Sequence, residues 1–242
     1  MQGQQQEVPA DIADVPIQDL TIEGEPKQRY FLIGLPENHP VPDDGYKLLL
    51  VMPGGDGSAE FSPFVKRIYK NAIGEGWLVA QLVAPMWDNK QANLVVWPTS
   101  VLPYKNAKFT TEEFLASVIK DIQARTTIND RHEYLFTWSS GGPAAYAATL
   151  HTDSPFDGAF IAMSVSPLQK LDLKKAEGKR FYLLQSPDDQ ITKYRFAEAA
   201  EKALTNAKAK VKLESYEGGH GWRGPIYPMI SEGVSWISSE EP

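Results

Sequence analysis

The chain has 242 residues, of which 42% are hydrophobic and 23% charged, with a formal net charge of -7 at pH 7 and no cysteine. A chain of this size can bury a sizeable core, most simply as one domain, and no apolar run approaches the roughly 20 residues that span a bilayer. The acidic balance and the lack of a Lys/Arg block argue against a nucleic-acid partner. The lack of cysteine excludes disulfides, a thiol nucleophile and thiolate metal sites.

The first 16 residues are polar and proline-containing, which predicts a flexible N-terminal tail ahead of one domain over 17–242. The beginning is rich in glutamine and lacks the basic and apolar regions of a signal peptide. It is typical either of a cytosolic tail or of an exported protein whose signal has been removed. We favour the exported protein.

After the tail, short apolar runs alternate with stretches of helical spacing. Strands are predicted at 17–22, 28–35, 47–52, 77–83, 132–138, 159–165, 180–185 and 211–216, and helices at 61–74, 111–125, 142–151, 192–207 and 225–238. The first two strands are expected to form an antiparallel hairpin. The rest predicts an α/β fold with a mostly parallel sheet of about eight strands, helices on both faces and no separate lid domain. Ligands of such sheets collect at the carboxyl ends of the strands.

The segment from 132 to 145 predicts an apolar strand, a sharp turn and a helix of small residues. Such a turn lifts a serine hydroxyl clear of the sheet and aims the next backbone N–H at the same reaction centre. The turn crowds the positions two before and two after the serine, which for Ser139 are Thr137 and Gly141. Choosing Ser140 would place Trp138 at a crowded position, so Ser139 is the predicted nucleophile. The competing interpretation is an ordinary serine- and glycine-rich loop.

A serine nucleophile needs a general base, and the chain has four histidines. His132 lies at the far end of the predicted strand, about 20 Å from Ser139 at roughly 3.3 Å per residue. His151 ends the following helix, about 18 Å away along its axis. Distance does not decide against His39, although a solvated loop residue is the simpler interpretation. His220 follows the last strand in a glycine-rich loop and is the predicted base.

The acid that orients the base is expected in the loop after the strand at 180–185. Asp188 and Asp189 both lie there, and we favour Asp189; either aspartate could instead be a turn residue or the cap of the next helix. An oxyanion hole also requires N–H donors. The glycine-rich loop after residue 52 offers those of Gly55 or Asp56, and Ser140 supplies the other. This loop matches neither phosphate-binding glycine pattern.

The order of glycine-rich loop, serine elbow, aspartate loop and Gly-Gly-His loop resembles the α/β-hydrolase superfamily over roughly residues 47–236. The stretches 139–142 and 219–224 look like the G-x-S-x-G-G and G-H-x-W-P-G signatures of the polyhydroxybutyrate-depolymerase and feruloyl-esterase branch. They are also similar to small esterases of the phospholipase/carboxylesterase type. The chain departs from these patterns at Thr137, at Gln185-Ser186, at Met52-Pro53-Gly54 and at Arg223.

The resemblance implies a serine carboxylesterase that works through an acyl-enzyme without metal or cofactor. His220 would deprotonate Ser139, and the substrate would be a small-molecule or polymer-linked ester. We expect a monomer or a weak homo-oligomer. The same triad would also serve a serine peptidase or an acyltransferase. A different class of protein with this fold is a binding protein without turnover, which would have no need of the three triad residues.

Several aromatic residues are predicted to form the rim of the site, since the connection 84–109 and the loops after the strands would meet there. They are Trp87, Trp97, Tyr104, Trp138 and Trp222. An open aromatic cleft would suit aryl or carbohydrate-linked esters through stacking. The competing interpretation is that these side chains fill gaps in the core.

Overall fold

The computed structural model describes residues 9–36, 40–91 and 95–239, with the backbone alone at 130 and 131. Within these ranges one sheet of eight strands is flanked by five α-helices. The strands are β1 (Ile17–Thr21), β2 (Arg29–Ile33), β3 (Tyr46–Met52), β4 (Trp77–Leu82), β5 (Ile128–Trp138), β6 (Gly158–Ala162), β7 (Arg180–Gln185) and β8 (Lys210–Ser215). The helices are α1 (Ser62–Ile68), α2 (Thr111–Gln123), α3 (Gly142–Thr149), α4 (Tyr194–Asn206) and α5 (Ile226–Ile237).

The strands lie in the order β1-β2-β4-β3-β5-β6-β7-β8. β1 and β2 form the predicted antiparallel hairpin, β2 pairs antiparallel with β4, and all the other pairs are parallel. The prediction of a mostly parallel sheet of about eight strands is therefore confirmed. β3 and β5 lie at its centre, with Met52 paired to Thr137, so their carboxyl ends reach the same edge.

Helices cover both faces of the sheet, as predicted. α1 and α5 bury Val65, Ile68 and Val234 against one face. α2, α3 and α4 pack on the other face, where Phe114 and Leu204 join the core. The side chains of β3 are buried almost throughout, which explains why it reads as an unbroken apolar run.

The packed part of the chain begins before residue 17, the predicted start of the domain. Residues 1–8 lie outside the described residues, but a short 3-10 helix at Ala10–Ile12 buries the side chain of Ile12, and Val15 is buried in the same cluster. Carboxylates next to these apolar positions pair with the helical segment 62–73, Asp11 with Arg67 at 2.6 Å and Asp14 with Lys70 at 2.7 Å. Residues 10–15 are therefore part of the packed domain, which they contact through two buried side chains and two ion pairs.

Predicted and observed elements differ mainly at their ends. β5 begins at Ile128, four residues before the predicted start, and its pairing with β3 is irregular between Tyr46 and Leu48. The capping box of α2 is present, with Thr110 accepting the N–H of Glu113 and the Glu113 carboxylate accepting the N–H of Thr110. None of the helices in the described ranges is both long and apolar enough to cross a membrane.

Candidate active site

Ser139 lies directly after β5, at the start of a short 3-10 turn that leads into α3. Its φ angle is 51°, in the left-handed region that residues with a side chain seldom adopt. The carbonyl of Ser139 accepts a hydrogen bond from the Ser164 hydroxyl at 2.6 Å. The surrounding structure thus holds the serine in a strained turn at the carboxyl edge of the sheet.

The crowding expected around this turn is visible in the coordinates. A Cβ atom at Gly141 would overlap the Thr137 hydroxyl and would lie 2.8 Å from the Met52 carbonyl oxygen. The same hydroxyl donates to that carbonyl at 2.7 Å and so ties β5 to β3. Threonine is accommodated at the first crowded position because its hydroxyl finds an acceptor on β3.

The structure brings Ser139, His220 and Asp189 together. The Ser139 hydroxyl lies 3.0 Å from His220 Nε2, and His220 Nδ1 lies 2.8 Å from Asp189 Oδ2. Because an ionised carboxylate only accepts, Nδ1 carries the proton of the neutral ring and Nε2 is free to accept from the serine. This arrangement can remove a proton from Ser139.

Asp189 is 1% exposed and heavily hydrogen-bonded. Burial raises the pKa of its carboxyl, but hydrogen bonds from Thr192, from His220 and from the N–H groups of Thr192 and Ile191 lower it more, so the pKa lies below its ordinary value of 3.8. Asp188 is exposed, and neither aspartate caps α4, whose N-cap is Lys193. The carboxylate beside His220 is therefore that of Asp189.

The loop after β3 passes beside the serine turn. A Cβ at Gly54 would lie 2.5 Å from the Trp138 ring, and the Ser140 hydroxyl donates to the Gly55 carbonyl at 2.8 Å. Gly55 has a φ of 63°, which favours glycine. Among the described residues, the N–H groups of Gly55 and Asp56 have no acceptor. The loop after β3 therefore has backbone N–H groups without an acceptor next to the serine turn.

Comparisons with known proteins find similarity at the level of structure. No family model and no curated protein matches the chain. A carboxylesterase from Mesorhizobium loti superposes with a TM-score of 0.63 and 15% identity over 86% of this chain and 94% of its own. An S-formylglutathione hydrolase from Staphylococcus aureus gives 0.66 and 14% over 93% and 97%, and a ferulic acid esterase gives 0.67 and 12% over the same shares.

The chain has the α/β-hydrolase fold. At these identities the likeness concerns architecture, while the roles of individual side chains rest on the geometry of this chain. The part of the chain that is described contains no group of three His, Asp or Glu side chains placed to hold a metal ion.

The prediction that aromatic side chains form the rim of the site is wrong for two of them, Trp97 and Trp138. Trp97 is 2% exposed and donates to the Pro53 carbonyl at 3.1 Å beneath the glycine-rich loop. Trp138 is 5% exposed and packs edge-on against Phe61. Both fill the core. Trp138 packs against Gly54 and Trp97 against Gly57, where the missing side chains leave room for the large rings.

The remaining rim candidates divide between two places. The ring centroids of Trp87 and Phe109, both within the connection 84–109, lie 4.9 Å apart. The Tyr104 hydroxyl donates to Asp88 in the same connection. Trp222 follows His220 by two residues and is half-buried against Trp138. Trp222 is thus the predicted rim residue that lies nearest in sequence to His220, while Trp87 and Tyr104 belong to the connection 84–109.

His132 and His151 have partners outside this cluster. The rings of His132 and His151 interact with Tyr134 and with the Asp153 N–H respectively, and His39 lies outside the described residues. Sequence analysis missed the polar residues that support the cluster, namely Ser164, Gln185 and Thr192. Their signal was weak, since a polar residue near a strand end is ordinarily read as a solvated loop residue, and only the fold shows that these three are buried.

Proposed function

We propose that this protein is a serine hydrolase that cleaves carboxylic esters through an acyl-enzyme intermediate. The observation that carries the proposal is the chain of contacts from Ser139 through His220 to Asp189, at 3.0 and 2.8 Å. The solved structures similar to this chain include a carboxylesterase and a ferulic acid esterase, which supports ester hydrolysis as the reaction class.

The first half of the proposed reaction uses Ser139 as nucleophile and His220 as base. The Ser139 oxygen attacks the ester carbonyl carbon while its proton passes to His220 Nε2. Asp189 stabilises the resulting imidazolium through Nδ1. The tetrahedral intermediate then collapses, the carbon–oxygen bond to the alcohol breaks, and His220 returns the proton to the departing alkoxide. In the second half, water attacks the acyl carbon while it loses a proton to His220, the bond from that carbon to the Ser139 oxygen breaks, and His220 returns the proton to Ser139 as the carboxylic acid leaves.

The charge that develops on the carbonyl oxygen needs donors in place before the reaction. We propose the N–H of Ser140 and that of Gly55 or Asp56 for this role. The contact of the Ser140 hydroxyl with the Gly55 carbonyl supports it, since it joins the two loops that would supply the donors.

An aromatic acyl or alcohol group would find one predicted stacking partner, Trp222, beside His220. With Trp97 and Trp138 in the core, the case for aryl or carbohydrate-linked esters rests on this residue. Comparing aryl esters with short alkyl esters of equal reactivity, in the wild type and in Trp222→Leu, tests this part of the proposal. Equal loss for both ester classes would remove the stacking argument.

The mechanism predicts that Ser139→Ala lowers p-nitrophenyl ester hydrolysis by about 10⁴-fold or more, since the nucleophile is lost. A fluorophosphonate should add to Ser139 of the wild type, as seen by peptide mass, and should add to neither Ser139→Ala nor His220→Ala.

Two matched variants control for unrelated effects of removing a serine or a histidine. Ser117→Ala changes a surface serine of α2, and His151→Ala changes a histidine at the far end of α3; both should keep wild-type activity. Well-folded wild type that shows neither turnover nor an adduct would refute the enzyme and leave the binding-protein alternative.

A further inference from the structure

Two buried polar side chains, Gln185 and Thr192, contact the carboxylate of Asp189. Gln185 is the last residue of β7, and Thr192 lies in the loop before α4. Gln185 Nε2 lies 2.9 Å from Asp189 Oδ2, and the Thr192 hydroxyl donates to the same oxygen at 2.7 Å. Most buried polar groups make hydrogen bonds, and these two side chains make theirs to the carboxylate.

Each oxygen of the carboxylate has its own set of donors. Oδ1 accepts the backbone N–H groups of Ile191 at 2.8 Å and Thr192 at 2.9 Å. Oδ2 accepts from Gln185, from the Thr192 hydroxyl and from His220 Nδ1 at 2.8 Å. The backbone therefore holds one oxygen, and two side chains hold the oxygen that faces the histidine.

The orientation of the Gln185 amide follows from its neighbours. Besides Asp189 Oδ2, the amide nitrogen lies 2.6 Å from the Thr192 carbonyl oxygen. An NH₂ group has two hydrogens for these two acceptors, whereas the flipped amide would set its oxygen against both. Gln185 thus links the carboxylate to the backbone of Thr192.

We infer that Gln185 and Thr192 are positioning residues for the Asp189–His220 pair. The inference rests on the serine hydrolase proposed above. A carboxylate held only at Oδ1 could turn about its Cβ–Cγ bond, and Oδ2 would then leave the line to Nδ1. The Thr192 hydroxyl also lies 3.4 Å from His220 Nδ1, so it limits the position of the ring itself.

The inference predicts that Thr192→Val, which keeps the shape and removes the hydroxyl, lowers kcat about 10- to 100-fold with KM changed less than twofold. The reason is that a misplaced base affects the chemical step rather than substrate binding. Thr192→Ser keeps the hydroxyl and should restore most of kcat. Gln185→Met should act in the same direction as Thr192→Val.

Thr149→Val is the matched control, because Thr149 is also buried but lies in α3, and its hydroxyl has no partner among the described residues. It should leave kcat unchanged. A kcat loss in Thr149→Val as large as in Thr192→Val, or no recovery in Thr192→Ser, would show a general packing effect and overturn the inference. Should Gln185→Met fail to fold, the Thr192 variants decide alone.

A spectroscopic measurement separates this inference from the proposed function. The proton on His220 Nδ1 should give a downfield NMR signal in Ser139→Ala protein, which needs no turnover to be observed. Adding Thr192→Val should move this signal upfield or broaden it by exchange; an unchanged signal and unchanged kcat would overturn the inference. Failure of the wild type to form the fluorophosphonate adduct would instead refute the proposed function.

Discussion

Gly141 lies where the serine turn is tightest, and its lack of a side chain sets the geometry of Ser139. A methyl group there would overlap the Thr137 hydroxyl and approach the Met52 carbonyl oxygen to 2.8 Å. The turn can relieve such an overlap only by moving β5 away from β3 or by moving Ser139. Both changes would disturb the hydrogen bond from Ser139 to His220.

We therefore expect Gly141→Ala to lower the free energy of unfolding by about 1–3 kcal/mol, the usual effect of overpacking a core, and to reduce ester hydrolysis as well. Urea unfolding and kcat measure the two effects. Thr137→Ala removes the nearest clashing atom, so the double variant should lose less stability than the sum of the two single variants. An unchanged unfolding midpoint in Gly141→Ala would show that the turn is not crowded.

Much of the candidate site could be predicted from single residues, their immediate neighbours and their order along the chain. Ser139 could be chosen because Thr137 and Gly141 fit the crowded positions around it. His220 could be chosen because it lies between two glycines after the last strand, and because distance along the chain argued against His132 and His151. The roles of Trp97 and Trp138 could not be inferred, since a tryptophan near a strand end has the same local pattern whether it points inward or outward. Whether a side chain is buried depends on residues far away in sequence.

Asp88 organises the long connection between β4 and α2. Its carboxylate accepts the Tyr104 hydroxyl and the Asn106 amide, both at 2.6 Å, and the N–H of Lys90 at 2.9 Å. These hydrogen bonds, that from Tyr104 foremost, lower the pKa of Asp88 from 3.8 to about 2. The charged form is thus favoured in the folded protein.

Because the folded pKa is depressed, the stabilisation by Asp88 is fully present above pH 3.8 and is lost as the pH falls through about 2. The carboxyl carbon of Asp88 should titrate near pH 2 by NMR. Asp88→Asn should remove this titration and speed proteolysis within 84–109 at neutral pH, whereas Asp153→Asn, in the loop after α3, should not. A midpoint near 3.8 would contradict the structure.

Element types were easier to predict than element ends. Alternating strands and amphipathic helices follow from local periodicity, which is why the sheet and its two helical layers agree with expectation. The early start of β5 could not be predicted, because its pairing with β3 is irregular there and the apolar pattern begins only near residue 133. Ile12 and Val15 were missed for a related reason, since two apolar residues have no recognisable period.

Across the whole molecule, Ser139 and His220 follow strands at different positions in the sheet, one near its centre and one at its edge. Ser139 follows β5, which has β3 and β6 as neighbours, whereas His220 follows β8, the last strand of the sheet. The side chains of β8 are exposed or half-buried, in contrast to those of β3. Strands at an edge with little buried surface are generally the first to open.

We expect amides of β8 to exchange hydrogen with solvent faster than those of β3 and β5 under native conditions. Ester hydrolysis should then decline at urea concentrations below the global unfolding midpoint, because opening of β8 carries His220 away from Ser139. Hydrogen exchange by mass spectrometry and residual activity in urea measure this. Activity and the far-ultraviolet dichroism signal falling together would contradict it.

Because β8 lies at the edge of the sheet, we expect the protein to lose activity at a lower level of stress than the one that unfolds the whole domain. The proposed nucleophile, Ser139, follows a strand with neighbours on both sides, whereas the proposed base, His220, follows an edge strand that we expect to open early. Mild stress would therefore switch the chemistry off in a molecule that keeps most of its core. Such a molecule needs only to re-form one strand to work again, so brief heating should inactivate it reversibly.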